Sequence, residues 1–203
     1  MTLPELLVAM AILSLVLTVF LSVMASVQRS VAYQDKLSQT LDQARLGIEQ
    51  LDREIRSGNV LYDPANENSG VPKTNQSSCQ DCLHNYTLRV YTQANAPSRG
   101  GYVCTLWQID LNQQLLTRQW APEDPTQATP WRVVATGIVN RALNEPAFVL
   151  DPDPMKGGRT VDVTLAVNSD PAKQQTVRIR SSLTGRNTTY GYPANICSKT
   201  PSG

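Results

Sequence analysis

The sequence offers few side chains that can do chemistry, and the first of them is an isolated carboxylate. Glu5 is the only ionisable side chain before Arg29, and it lies at the head of an apolar segment. A carboxylate in apolar surroundings is costly unless a charge or a hydrogen-bond donor pairs with it. The position therefore predicts a specific partner for Glu5. A local alternative is that the carboxylate offsets the dipole and the amine at the start of a helix.

The other reactive side chains are four cysteines. They all lie in the polar part of the chain, at Cys79, Cys82, Cys104 and Cys197. An even number of cysteines predicts disulfides if this part lies outside the cytoplasm, and three pairings are possible. We expect Cys79–Cys82 and Cys104–Cys197, because residues 59–83 and the tail after Tyr192 have little apolar surface to order them. Pairing of Cys79 and Cys82 with the two distant cysteines is the open alternative.

Two motifs could hold a metal ion. The motif CQDC from Cys79 to Cys82 has the spacing of a redox pair or of half a zinc site, but no second C-x-x-C follows and His84 is the only histidine. Asp151 and Asp153 could supply oxygen ligands to calcium, yet the prolines between and after them favour a rigid turn. We therefore expect no metal and no cofactor.

The composition argues against several classes of function. A single histidine and the lack of a phosphate-binding glycine loop predict no catalytic residues and no enzyme. A formal net charge of +1 does not favour nucleic acid as an obligatory partner. The basic late strands, with Tyr190 and Tyr192 nearby, allow contact with DNA, but a solvated basic face is the simpler interpretation.

The element that carries Glu5 is an uncharged apolar run. From Leu6 to Val27 the sequence reads LLVAMAILSLVLTVFLSVMASV. About 20 apolar residues in a helix span a bilayer core, and this run continues into helix-forming sequence where a signal peptide would end at a cleavage site. We predict a retained transmembrane helix.

Small hydroxyl side chains recur every four residues along this run, at Ser14, Thr18, Ser22 and Ser26. This spacing puts them on one side of a helix, where small residues let a second helix approach closely. The pattern predicts a helix-packing face. The alternative is that these hydroxyls only bond their own backbone.

An amphipathic stretch follows Arg29. Its apolar residues recur at intervals of three and four, at Leu37, Leu41, Ala44, Ile48, Leu51 and Ile55. That period gives one apolar helix face, and Gly58 is placed where a helix stops. We predict one helix of about 50 residues, divided into a membrane or filament-core part (1–28) and a part that belongs to a head domain (29–58).

The remainder of the chain, 59–203, is predicted to be a loop followed by antiparallel strands. Alternation in YVCTLWQIDL indicates a half-buried strand, with Gln114 to Trp120 as its hairpin partner. TVDVTLAV and TVRIR form a second antiparallel pair across the link from Asn168 to Gln174. The fold class is therefore α+β, with the sheet covering the apolar stripe of the helix.

The head of the chain, TLPELLVAMAILSLVL, resembles the processed N-terminus of the type IV pilin-like family, which includes pilus subunits and type II secretion pseudopilins. The resemblance implies that a prepilin peptidase cuts before Met1 and methylates it. It also implies that Glu5 pairs with the amino terminus of a neighbouring subunit in the filament core. Met1 departs from the phenylalanine usual in the family, and a translation start at this residue is the alternative.

LDREIRSG, YTLRVYT, WQIDLNQQLLTRQW and the late strand pair resemble the minor subunits designated W in pili and J in secretion systems. The resemblance implies a minor structural subunit that initiates, caps or joins a filament. Its partners would be other subunits, the inner membrane before assembly and the peptidase, and its head would lie outside the cytoplasm, in the periplasm or at the cell surface. The alternatives are a major pilin and a membrane-tethered extracellular binding module.

Overall fold

The computed structural model describes residues 2–67, 85–93, 101–151, 158–168, 175–185 and 195–201. The chain divides into two compact units, Met1–Gln39 and Thr40–Gly203, and one helix contributes residues to both. This helix is α1, Leu3–Arg56. Eight strands follow within these described ranges: β1 Gly58–Leu61, β2 Thr87–Thr92, β3 Val103–Ile109, β4 Gln114–Trp120, β5 Arg132–Thr136, β6 Phe148–Leu150, β7 Thr160–Val167 and β8 Val177–Thr184. The order of a long helix and antiparallel strands confirms the predicted α+β class.

The strands of the described part of the chain form two antiparallel sheets. The first has the order β1-β2-β3-β4-β5 and the second the order β6-β7-β8. The predicted hairpin between β3 and β4 is present, with Trp107 opposite Thr117. The predicted pair of late strands is also present, with Leu165 opposite Ile179. A bridge between Ile138 and Val167 joins the two sheets.

The last part of α1 packs on this β-structure, as the amphipathic spacing predicts. Ala44, Leu51 and Ile55 are fully buried in one core with residues of both sheets, among them Trp107 and Phe148. Leu41 and Ile48 pack against the same core while partly exposed. Gly47 is also buried, and a Cβ there would lie 3.2 Å from atoms of Leu115 and Val134. A larger side chain at this position would therefore push the helix away from the sheet.

Strand β3 is buried on both faces, so the prediction of a half-buried strand is wrong. All seven of its residues are buried. Trp107 and Ile109 face the helix-side core, whereas Cys104 and Leu106 belong to a second cluster with Trp120 and other apolar residues. Cys197 and Ile196 cover this second face, so the C-terminal segment supplies the burial.

The structure also corrects the predicted helix end. Residues from Asn59 onward were predicted as loop, but Gly58–Leu61 form β1, an edge strand paired with β2. The helix ends at Arg56, and the hydroxyl of Ser57 donates to the Arg53 carbonyl at 2.8 Å. A Cβ on Gly58 would lie 2.8 Å from Cγ1 of Val90, so this glycine permits close strand packing.

Candidate functional site

The N-terminal part of α1 has the length and composition of a membrane-crossing helix. Its most apolar 18-residue window has a mean hydropathy of 2.8, and none of that window is buried. Large apolar side chains such as Leu13 and Phe20 are more than half exposed. This segment could anchor the protein in a membrane, because leaving such a surface in water is unfavourable.

Glu5 lies in the first turn of α1 and makes a local hydrogen bond. The backbone N–H of Thr2 donates to Oε2 of Glu5 at 3.2 Å, and the N–H of Glu5 donates to the Thr2 carbonyl at 3.0 Å. A threonine followed three residues later by a glutamate is the spacing of a capping box. The structure thus gives Glu5 a helix-start role, and its pairing with a second subunit stays a prediction. Met1 lies outside the described residues.

Three of the four hydroxyls of the predicted packing face form hydrogen bonds within the helix. Ser14 donates to the Ala11 carbonyl at 2.8 Å, Thr18 to Ser14 at 2.7 Å and Ser22 to Val19 at 2.8 Å. These bonds satisfy the hydroxyls without another chain. The three side chains and Ser26 are exposed, and close approach of a second helix along them remains a prediction.

A buried carboxylate on α1 was missed from the sequence. Glu54 is 0% exposed, and its Oε2 accepts a hydrogen bond of 2.6 Å from Nε1 of Trp107 on β3. Gln50 donates to its other oxygen at 3.2 Å. The sequence held one signal for this site, since Glu54 follows Leu51 by three residues and therefore lies on the inward face. The arrangement fixes the rotation of the helix on the sheet, because only one helix orientation brings the carboxylate to the indole.

A second buried carboxylate is paired with an arginine beneath the C-terminal segment. Nη2 of Arg89 lies 2.6 Å from Oε1 of Glu67, and both side chains are largely buried. The same guanidinium donates to the Cys197 carbonyl at 2.6 Å and lies 4.1 Å from the ring centroid of Tyr62. Burial raises the pKa of Glu67 above its usual range, although Arg89 acts in the opposite direction. Burial likewise raises the pKa of Tyr62, whose hydroxyl accepts from the N–H of Cys197.

The disulfide Cys104–Cys197 is present, in agreement with the pairing that the sequence favoured. It joins strand β3 to the C-terminal segment, with Cα atoms 5.8 Å apart. Cys79, Cys82 and His84 lie outside the described residues, as do Asp153, Tyr190 and Tyr192. Within the described ranges, no group of three or more His, Cys, Asp or Glu residues could hold a metal ion.

A surface groove of about 810 Å³ lies between α1 and strands β4 and β5. Leu46, Gln50 and Arg53 line it from the helix. Thr117 on β4 and the segment from Thr129 to Arg132 line it from the sheet. No sequence pattern indicated this groove, because its lining comes from three distant parts of the chain.

No family model, no curated protein and no solved structure matches this chain. The features that bear on function are therefore the motif at the head of the chain and the geometry of α1 and the head domain.

Proposed function

We propose that this protein is a structural subunit of a type IV pilus or a type II secretion pseudopilus. One observation carries the proposal: a single helix contains both an exposed apolar stretch of membrane length and a stretch that packs on an antiparallel β-domain. In such a subunit, the apolar stretch is held in the bilayer before assembly and surrounded by the same stretches of other copies afterwards. The helix is thus an anchor first and an assembly element later.

The role of Glu5 in this proposal follows from its surroundings before and after assembly. In the single chain the carboxylate is exposed and accepts a hydrogen bond of 3.2 Å from the backbone N–H of Thr2. Enclosure among apolar helices would remove its water, and a positive charge from a neighbouring amino terminus would offset that cost. Cleavage and methylation at Met1 by a prepilin peptidase belong to the same proposal.

The test is the variant Glu5→Ala, expressed in cells that assemble the filament. We expect the protein to remain in the membrane fraction, because the apolar run is unchanged, and to be lost from sheared filaments, because the intersubunit ion pair is lost. Asp35→Ala is the matched control, since it removes an exposed carboxylate from the same helix outside the apolar run. Incorporation of Glu5→Ala at the wild-type level would refute the pairing.

The resemblance of the strand segments supports a minor subunit. Such a subunit would initiate, cap or join the filament. The copy number in purified filaments distinguishes this from a major pilin, which would be present in every layer.

The groove between α1 and strands β4 and β5 supports a second candidate, a membrane-tethered extracellular binding module. A tethered monomer needs only the apolar run and a folded head. It would therefore tolerate Glu5→Ala without loss of function, so the same variant separates the two candidates.

A further inference from the structure

We propose that the groove between α1 and strands β4 and β5 binds an acidic peptide segment of a partner protein, through the guanidinium groups of Arg53 and Arg132. This inference concerns the head domain and goes beyond assembly through the N-terminal helix. It holds for either of the two candidate functions.

The helix side of the groove is a regular row of side chains. Leu46, Glu49, Gln50 and Arg53 are spaced by three, one and three residues, so they lie on one face of α1. The opposite side is formed by Thr117 and by the segment that ends in Arg132. Arg53 and Arg132 therefore enter the groove from two different elements.

The groove has an excess of positive charge, which favours a ligand that carries carboxylates. Arg53 is exposed and makes no ion pair within the described part of the chain. Arg132 donates to the neutral Oε1 of Gln50 at 2.7 Å. Glu49 is the only acidic residue among the described lining residues, and it too is exposed. Guanidinium groups without a carboxylate partner bind carboxylates through charge-assisted hydrogen bonds.

The groove also has an apolar surface held in place by a third arginine, Arg118. The guanidinium carbon of Arg118 lies 4.3 Å from the ring centroid of Trp131, and Nη2 of Arg118 donates to the Pro201 carbonyl at 3.0 Å. These contacts fix the indole, while Leu46 on the helix is 62% exposed. An aromatic ring and an aliphatic side chain suit the hydrocarbon part of a peptide.

Two lining residues, Thr117 and Arg118, each have a buried polar side-chain atom without a hydrogen-bond partner among the described residues. Thr117 is only 4% exposed, and its hydroxyl has no hydrogen-bond partner among the described residues.

The size and charge of the groove favour a peptide over a nucleic acid. Its volume of about 810 Å³ lies within the usual range for ligand pockets. A nucleic acid would need a broad basic surface, whereas the formal net charge of the whole chain is +1. A short segment that carries glutamates or aspartates fits both the two guanidinium groups and the apolar surface.

The test uses the full chain in detergent micelles and fluorescein-labelled hexaglutamate, with binding followed by fluorescence anisotropy. We expect hexaglutamate to bind more tightly than labelled hexaglutamine, and labelled hexalysine not to bind. The double variant Arg53→Gln/Arg132→Gln should bind about tenfold or more weakly, the size expected when charge-assisted hydrogen bonds are lost. The control Arg159→Gln/Arg180→Gln removes the same charge from exposed positions outside the groove and should bind as the wild type does.

A third variant protects the test against misfolding. Glu49→Gln removes the opposing carboxylate and should tighten binding by about twofold or more, a gain that loss of structure cannot produce. Equal binding of hexaglutamate by wild type and by the Arg53/Arg132 variant would overturn the proposal, as would equal binding of hexaglutamine. Self-association that the same variant abolishes would also overturn it, because the groove would then bind a second copy of this chain.

Discussion

Within the described residues, two carboxylates are buried, and their donors differ in charge. Glu54 accepts from the neutral indole of Trp107, whereas Glu67 accepts from the guanidinium of Arg89. A buried carboxylate needs such donors because it has lost its water. Both bonds join segments that are far apart in sequence, so each carboxylate links two elements of the head domain.

Glu67 gives a prediction for the pH dependence of stability. Its pKa in the folded chain is raised above 4.5 by burial, so the folded state binds this proton more tightly than the unfolded state does. The contribution of Glu67 to the free energy of unfolding is therefore fully present below pH 4.5. It is lost as the pH rises through the pKa of Glu67 in the folded chain. We expect the difference in free energy of unfolding, wild type minus Glu67→Gln, to fall as the pH rises from about 4 to 7.

Urea denaturation in detergent micelles at several pH values measures this difference. Glu123→Gln is the control, since it removes one carboxylate from an exposed position of the head domain by the same substitution. A difference that increases with pH would contradict the prediction, because it would mean that the attraction of Arg89 outweighs burial.

At the level of the elements, the connection from β5 to the second sheet depends on one glycine. Gly137 has φ of +69°, and a Cβ there would lie 2.7 Å from the Asn168 carbonyl oxygen. The Gly137 carbonyl accepts from the N–H of Asn168 at 2.9 Å, beside the bridge that joins the two sheets. A side chain at this position would thus force the sheets apart.

Gly137→Ala is expected to lower the free energy of unfolding by roughly 3 kcal/mol, from left-handed strain and from the clash with Asn168. Gly101→Ala is the matched control: Gly101 has φ of +90° with nothing within 4 Å of the added Cβ, so it should cost only about 1 to 2 kcal/mol of strain. Equal losses for the two variants in urea denaturation would show that the close contact at Gly137 carries no energy.

The sequence predicted the elements whose signals are local. The helix, the β3–β4 hairpin and the β7–β8 pair follow from period and turn residues, which a short window contains. The burial of both faces of β3 depends on Cys197, which is distant in the chain, so alternation alone indicated one buried face. The edge strand β1 is only four residues long and borders polar sequence, and it forms because β2 offers a pairing edge.

The candidate sites also divide into those with a local signal in the sequence and those that depend on contacts between distant residues. Glu5 was found because a charge in an apolar run stands out in the sequence. Glu54 was missed because a glutamate in an amphipathic helix is ordinary, and only the position of Trp107 on another element makes it a buried partner. The groove residues Arg53 and Arg132 come together only through the packing of α1 on β4 and β5.

For the whole molecule, the disulfide Cys104–Cys197 is expected to be the largest single covalent contribution to stability. It closes a loop with a sequence separation of 93 residues, and the chain-entropy model gives about 4 to 5 kcal/mol for a loop of that size. We expect Cys104→Ala/Cys197→Ala to lower the free energy of unfolding by an amount of this order. The fluorescence of Trp120, which this segment covers, should shift at the same time.

A reducing agent separates this effect from that of other cysteines. Wild type under reduction should match the double variant, and the variant should change little on further reduction. A variant as stable as the oxidised wild type would contradict the assignment, because the C-terminal segment would then be held by packing alone.

The same disulfide also limits how far the molecule can be stretched. The loop that it closes would measure about 300 Å if fully extended, yet its ends are held 5.8 Å apart. Tension applied to the chain on either side of the loop passes through the sulfur atoms, so strands β4 to β8 carry none of it along their backbone. In the filament proposed above, a pull along the fibre could therefore not draw these strands out of the head domain while the disulfide is intact.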